Sequence, residues 1–343
     1  MVPFQLDAWE GRIVPLHCIT AGEYQNPLRG SAAVSHPVVA VAGPTGAGKS
    51  ELALRIAAGF HGEVLNCDSL QMYRYFDIGT AKLRPEEMRG IPHHLIDTLE
   101  PDQIFTAGEY ARQGRAVLMG ITQRGRLPVV AGGTGFYLRA LFEGLFRGPG
   151  RDEGVRRRLG ERERRRPGSL HRLLFRFDAA TAVRIHPHDV PKVMRALEVC
   201  LLARRPASDL FQTGREALEG YRTLKIGLAP DREELYRRLD ERCRQMFESG
   251  LVEEVRGILG RGVPENAKPF ESHGYRQVMQ MLRGELSAKE ALFYAQRNTR
   301  NYAKRQMTWF RKEAGMEWLK GFGGDPQVQD AALERVRCFL TNC

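Results

Sequence analysis

The chain has 343 residues, 42% hydrophobic and 27% charged, with a net charge of +11. That length fits two domains or one large domain with an insertion, and the composition supports a sizeable globular core. No apolar run approaches the ~18–20 residues that cross a bilayer, and the six scattered cysteines lack the spacing of a zinc site or a disulfide framework, so a reduced, cytoplasmic protein without a membrane span is expected.

Residues 1 to 37 hold two basic residues (Arg12, Arg29) against three acidic ones (Asp7, Glu10, Glu23). This is not the pattern of a targeting signal, and the segment reads as an N-terminal extension. Val38 to Ala42 is a β-branched run ending at a glycine, and Ser50 to Phe60 follows with helical spacing. Val64 and Leu65 open a second strand, and His94 to Asp97 a third. Thr106 to Thr122 reads as a helix and Leu127 to Ala131 as a buried strand. This alternation predicts a parallel sheet covered by helices. From about residue 150 the chain becomes highly charged and helical, which reads as an insertion over 150–219. Strand character returns at Thr223 to Leu228, and Asp231 is placed to cap a long helix after it. The catalytic core is therefore expected over 38–149 and 220–343.

Gly43-Pro44-Thr45-Gly46-Ala47-Gly48-Lys49-Ser50 matches the phosphate-loop pattern G-x-x-x-x-G-K-[ST], with a strand before it and a helix after it. Its backbone N–H groups can curl around phosphate oxygens at a helix N-terminus. Lys49 adds a full charge, and Ser50 can hold Mg²⁺. The motif marks a diphosphate or triphosphate site, nucleotide-binding or ATP-binding in the general case. The best later strand ends in Gly132-Gly133-Thr134-Gly135 instead of the magnesium-binding Asp of an ATPase, with Asp97 as a weaker substitute. A diphosphate-using enzyme fits that pattern.

The positive charge lies elsewhere. Residues 43 to 110 carry six basic and ten acidic side chains, whereas 151 to 176 carry ten arginines against four acids, and 297 to 312 carry six basic residues and no acid. A polyanion can dock on the later segments while chemistry takes place in the first. Arg297, Arg300, Lys304 and Arg311 recur at helical spacing, with Arg305, Trp309 and Lys312 beside them. Basic groups so spaced can follow a phosphate backbone, and Trp309 either stacks on a base or belongs to the core. Adjacent His93 and His94 point to opposite faces of a strand, so no metal site is expected there.

Further motifs are Asn66-Cys-Asp68-Ser69-Leu70-Gln71-Met-Tyr73, Asp77 to Lys82, Pro92 to Asp97, Gly132 to Tyr137, Asp189 to Glu198, Gly274-Tyr-Arg-Gln277 and Ala303 to Trp309. Together these segments resemble the tRNA dimethylallyltransferases. The resemblance spans about Val38 to Arg311. It implies an α/β core of the P-loop NTPase-like type, a helical insertion domain and C-terminal helices that bind tRNA. It also implies Asp68 as the base that accepts a proton from an adenine amine, a poor nucleophile otherwise. Thr134 would contact the leaving diphosphate, and Arg232 is either a further clamp or a surface residue. Asp68, Ser69, Leu70, Gln71 and Thr134 would touch tRNA, with Tyr73 a further candidate for the pocket. So would Pro191, Lys192, Val193, Met194 and Arg195, an arginine matched to Arg156 (Arg157 and Arg158 are its neighbours), and Lys304 with Arg305.

The expected reaction is dimethylallyl transfer from its diphosphate, with Mg²⁺, to the adenine 3′ of the anticodon in tRNAs reading codons that begin with U. A monomer acting on the tRNA anticodon loop suffices. Rivals are a transferase acting on free adenine nucleotides, a nucleotide kinase, and an RNA-binding protein with a relict phosphate loop.

Overall fold

The computed structural model describes residues 35–212 and 214–341. The expected extension thus lies, except for its last three residues, outside the described residues. Strand β1 (His36–Ala42) runs into the phosphate loop and helix α1 (Lys49–Gly59). Then come β2 (Gly62–Asn66), the two-residue β3 (His93–His94), α2 (Ala107–Gln123), β4 (Leu127–Gly132) and α3 (Gly135–Phe142). Thr106 and Glu109 cap α2 reciprocally, which fixes its start one residue after the predicted one.

Helices α4 (Glu153–Arg165), α5 (Ser169–Phe177), α6 (Ala179–Arg184), α7 (Val190–Ala203) and α8 (Ala207–Gln212) follow without a strand. The chain returns to the sheet with β5 (Tyr221–Leu228). Helices α9 (Arg232–Glu248), α10 (Leu251–Gly260), α11 (Tyr275–Leu282) and α12 (Ala288–Phe310) come next, then β6 (Met316–Leu319) and α13 (Pro326–Thr341). Asp231 caps α9 by accepting from Glu233 and Glu234 N–H, as its position predicted. Strand β6, around Trp318, was not anticipated.

All strand pairs in the sheet are parallel, in the order β3-β2-β4-β1-β5-β6. Alternate residues of β1 serve opposite faces, as the two-residue period of a strand requires. Val39 and Val41 pack with Leu52 and Ile56 of α1 and with Ala332 and Val336 of α13. Val38 and Ala40 pack with Tyr110, Leu118 and Leu141 on the other side. A sheet buried on both faces explains why its strands read as unbroken apolar runs.

Helices α4 to α8 build a separate core around Leu159, Leu170, Leu174, Val193 and Leu197. Glu198 is fully buried there. It accepts from Arg156 at 2.8 and 2.9 Å, from Arg195 at 2.6 Å and from the Asp152 N–H at 2.8 Å. Burial alone would raise its pKa, but these donors, Arg156 foremost, hold it down at about 2. A depressed folded pKa means the contribution is complete above the ordinary 4.5 and fades as pH falls toward 2. Glu198→Ala strands two arginines and is expected to destabilise the chain by about 3–5 kcal/mol. Urea unfolding at pH 7 measures this, and a loss near zero would mean the insertion does not depend on the cluster.

No helix among the described residues is long and apolar enough to cross a membrane.

Candidate active site at the carboxyl ends of the strands

The order β2-β4-β1 makes three loops neighbours. Ala42 pairs with Gly132 and Asn66 with Ala131, so the three strands end almost level. The phosphate loop, Cys67–Asp68 and Gly133–Thr134 therefore emerge side by side at the sheet's carboxyl edge, where open α/β sheets bind ligands. The approach is close. A Cβ on Gly132 would lie 2.1 Å from the Cys67 carbonyl, so only glycine fits there.

Asp68 is held by its neighbours. The Asn66 side chain accepts from the Asp68 N–H and donates to the Asp68 carbonyl, both at 3.0 Å. The Asp68 carboxylate accepts from the Leu70 N–H at 3.0 Å, leaving it half-exposed toward a pocket. Thr134 sits beside it, its hydroxyl accepting from the Ser69 N–H at 3.1 Å. The buried Cys67 thiol is pushed up to about 12, chiefly by burial, and is not a nucleophile.

Lys49 donates to the Pro44 carbonyl at 2.8 Å. Burial lowers its pKa to about 8, with Asp68 opposing the shift and Arg242 adding to it. Arg242 is the site residue that sequence reasoning missed. It projects from α9, three turns beyond the candidate Arg232, and donates to the Thr45 hydroxyl at 2.9 Å. Its Nε is buried and has no hydrogen-bond partner among the described residues. Burial also lowers the Arg242 pKa. Two cations thus converge with Asp68 the nearby carboxylate, an arrangement suited to an added anion.

The pocket above them has a polar mouth of Thr45, Asp68 and Arg242 and a wall containing Leu70, Met246, Phe247, Leu251 and Ala295. Tyr302 and His273 line it too, their rings 5.3 Å apart. Tyr302 was not singled out from the sequence. Its pKa is raised, mainly by burial and next by Asp68.

Other expectations fare differently. Arg232 is exposed and lies over the Tyr236 ring at 5.2 Å, so its contacts are those of a surface residue. The Gln71 amide donates to the Thr80 and Ala81 carbonyls. Tyr73 is buried in the core with its hydroxyl on the Gln103 carbonyl, and does not line the pocket. Asp97 is bound to Lys82 at 2.5 Å. His94 pairs with Glu63 at 2.7 Å.

In the insertion, Val193 is 1% exposed and belongs to the core, while Met194 packs against that core. Arg156 donates to Glu198, and Arg195 divides its donors between Glu198 and the Pro149 and Gly150 carbonyls. Pro191 and Lys192 are exposed.

Lys304 and Arg305 are exposed on α12 and form a groove with Asn301, Thr308, Trp309 and Lys312. Trp309 is half-buried. One side packs on Gly135 of α3, and the Arg139 guanidinium lies 4.4 Å from its ring centre. Trp309 thus belongs in part to the core, with the rest of its ring exposed.

The family model described as IPP transferase matches residues 71–313. The tRNA dimethylallyltransferase of Solibacter usitatus (strain Ellin6076) is 65% identical over 304 residues, covering 89% of this chain and 99% of that protein. The tRNA dimethylallyltransferase of Koribacter versatilis (strain Ellin345) is 51% identical, covering 86% and 96%. Among solved structures, the full-length tRNA isopentenylpyrophosphate transferase of Bacillus halodurans superimposes with a TM-score of 0.66 at 34% identity, covering 90% and 96%. A eukaryotic dimethylallyltransferase acting on tRNA gives 0.76 at 27% identity, covering 90% and 80%.

Proposed function

The chain belongs to the IPP transferase family together with these tRNA dimethylallyltransferases, and from that premise we propose that it transfers a dimethylallyl group from dimethylallyl diphosphate to N6 of the adenine 3′ of the anticodon. The substrates are tRNAs that read codons beginning with U. The observation that carries this reading is a pocket lined by Arg242, Asp68 and an apolar wall, with the buried Lys49 of the phosphate loop close enough to feel both charges.

In the reaction the adenine N6 attacks the allylic carbon. The new C–N bond forms as the C–O bond to diphosphate breaks, and the N6 proton passes to Asp68. The five-carbon tail lies against the apolar wall. Lys49, Arg242 and the Thr134 hydroxyl receive the charge that develops on the diphosphate. The adenine leaves the anticodon-loop stack to reach Asp68, which is cheaper from a loop than from a duplex.

Ser50, which follows Lys49 in the phosphate loop, would hold Mg²⁺ brought in with phosphate oxygens. Bound there, the metal would supply further charge neutralisation at the leaving group. The exposed Pro191–Lys192 turn and the Lys304–Arg305 groove face the RNA. We propose that the chain acts as a monomer in the cytoplasm, where tRNA is at hand.

Labelled dimethylallyl diphosphate with Mg²⁺, offered to unmodified tRNA and to AMP, tests the reading. Label on tRNA alone supports it. Label on AMP alone makes the protein a free-nucleotide transferase, and tRNA binding without transfer makes it an RNA-binding protein. Replacing both Lys304 and Arg305 by alanine is expected to raise the tRNA KM about tenfold or more and to lower the salt dependence of binding by about one to two phosphate contacts. An unchanged salt slope would remove this groove from the interface.

A further inference from the structure

Gln306 is 6% exposed and lies on the inner face of α12, with the exposed Lys304 and Arg305 on the outer face. Its amide oxygen accepts from the Thr45 N–H at 2.8 Å, and its amide nitrogen donates to the Gly133 carbonyl at 2.8 Å. The partners fix which end is which, because a backbone N–H only donates and a carbonyl only accepts. A Cβ on Gly133 would lie 2.4 Å from the amide nitrogen, so the glycine makes room for this contact.

Thr45 and Gly133 belong to different loops. The β1–β4 ladder ends at the Ala42–Gly132 pair. Beyond it, among the described residues, Gln306 is the hydrogen-bonded link between the phosphate loop and the loop that carries Thr134. Both loops flank the space assigned to the diphosphate. A Cβ on Gly133 would also lie 3.5 Å from the Lys49 ammonium, which puts the link next to that charge.

We propose that Gln306 is a positioning residue that sets the spacing between the phosphate loop and the Thr134 hydroxyl, so that both meet the departing diphosphate at once. The inference rests on the proposed prenyl-transfer reading. Each bond fixes one loop, and beyond the Ala42–Gly132 pair no other hydrogen bond among the described residues joins the two loops directly. Misplacing groups by about 1 Å at a reacting centre costs about a hundredfold in rate.

The test uses the full chain with labelled dimethylallyl diphosphate and unmodified tRNA. Gln306→Leu removes both bonds and is expected to lower kcat about a hundredfold, with the tRNA KM held within about twofold. Gln306→Glu provides the readout that a merely structural role would leave unmoved. An ionised glutamate has no donor for the Gly133 carbonyl, whereas a protonated one has both a donor and an acceptor. The ratio of its kcat to that of wild type is therefore expected to rise as pH is lowered from 8 to 6. A Leu variant with kcat within about threefold of wild type, a loss confined to tRNA KM, or a flat ratio for the Glu variant overturns the inference. Wild-type protein that labels no tRNA overturns the reading of the site, and this inference with it. Active wild type with unaffected variants overturns the inference alone.

Discussion

Asp68→Asn is expected to lower prenyl transfer to tRNA by about a hundred- to ten-thousand-fold while leaving tRNA binding nearly unchanged. The substitution is chosen because it preserves shape. Asparagine can still accept from the Leu70 N–H, and the Asn66 contacts that hold this turn are to backbone atoms, so the loop keeps its geometry. What it loses is a charge and a proton acceptor. A second consequence follows from the electrostatics. Asp68 is the leading group that raises the Lys49 pKa against the effect of burial. Without that charge, Lys49 loses its proton at a lower pH, and the alkaline limb of diphosphate binding moves to more acid pH. Single-turnover transfer and a pH titration of inorganic diphosphate binding measure the two effects. Transfer retained within about tenfold would show that the proton leaves by another route, such as water.

The elements that flank Asp68 were legible because their signals are local. A β-branched run followed by a phosphate loop and a helix can be read within fifteen residues, and β1 with α1 lies where that reading put it. Strand β4 likewise ends at the predicted Gly132 turn. Adjacency of the three loops was not legible, since it depends on the strand order β2-β4-β1 and not on any one segment. β6 was missed because a four-residue strand with only its last residue buried has no pattern to detect. Arg156 and Arg195 were expected to contact RNA, and a charged helix gives no sign of which arginine also has a buried partner. The sign lay in Glu198, a carboxylate between Leu197 and Val199, which needs such partners once it is buried.

Arg242 shows the same limit at the site itself, and its removal is the second large effect expected. The α9 sequence around it, Arg237-Arg238-Leu239-Asp240-Glu241-Arg242, looks like a solvated charged face. Arg237 and Arg238 do pair with Glu234 on the surface. Four residues on, Arg242 instead reaches Thr45 of the phosphate loop and keeps a buried Nε without a partner. A buried guanidinium with an unused donor beside a second cation is costly by itself, and an anion between them offsets that cost. Arg242→Ala is therefore expected to lower kcat about a hundred- to a thousandfold, the range for losing one donor to developing charge. Its effect on stability runs the other way or is small, because the variant relieves repulsion with Lys49. Arg242→Lys restores the charge without the planar fork and is expected to recover only part of the rate. Thermal unfolding with and without inorganic diphosphate separates the two roles. Wild type should gain more stability from diphosphate than Arg242→Ala does. Equal gains in both proteins would place Arg242 in the fold of the phosphate loop and leave the diphosphate to Lys49 and Thr134.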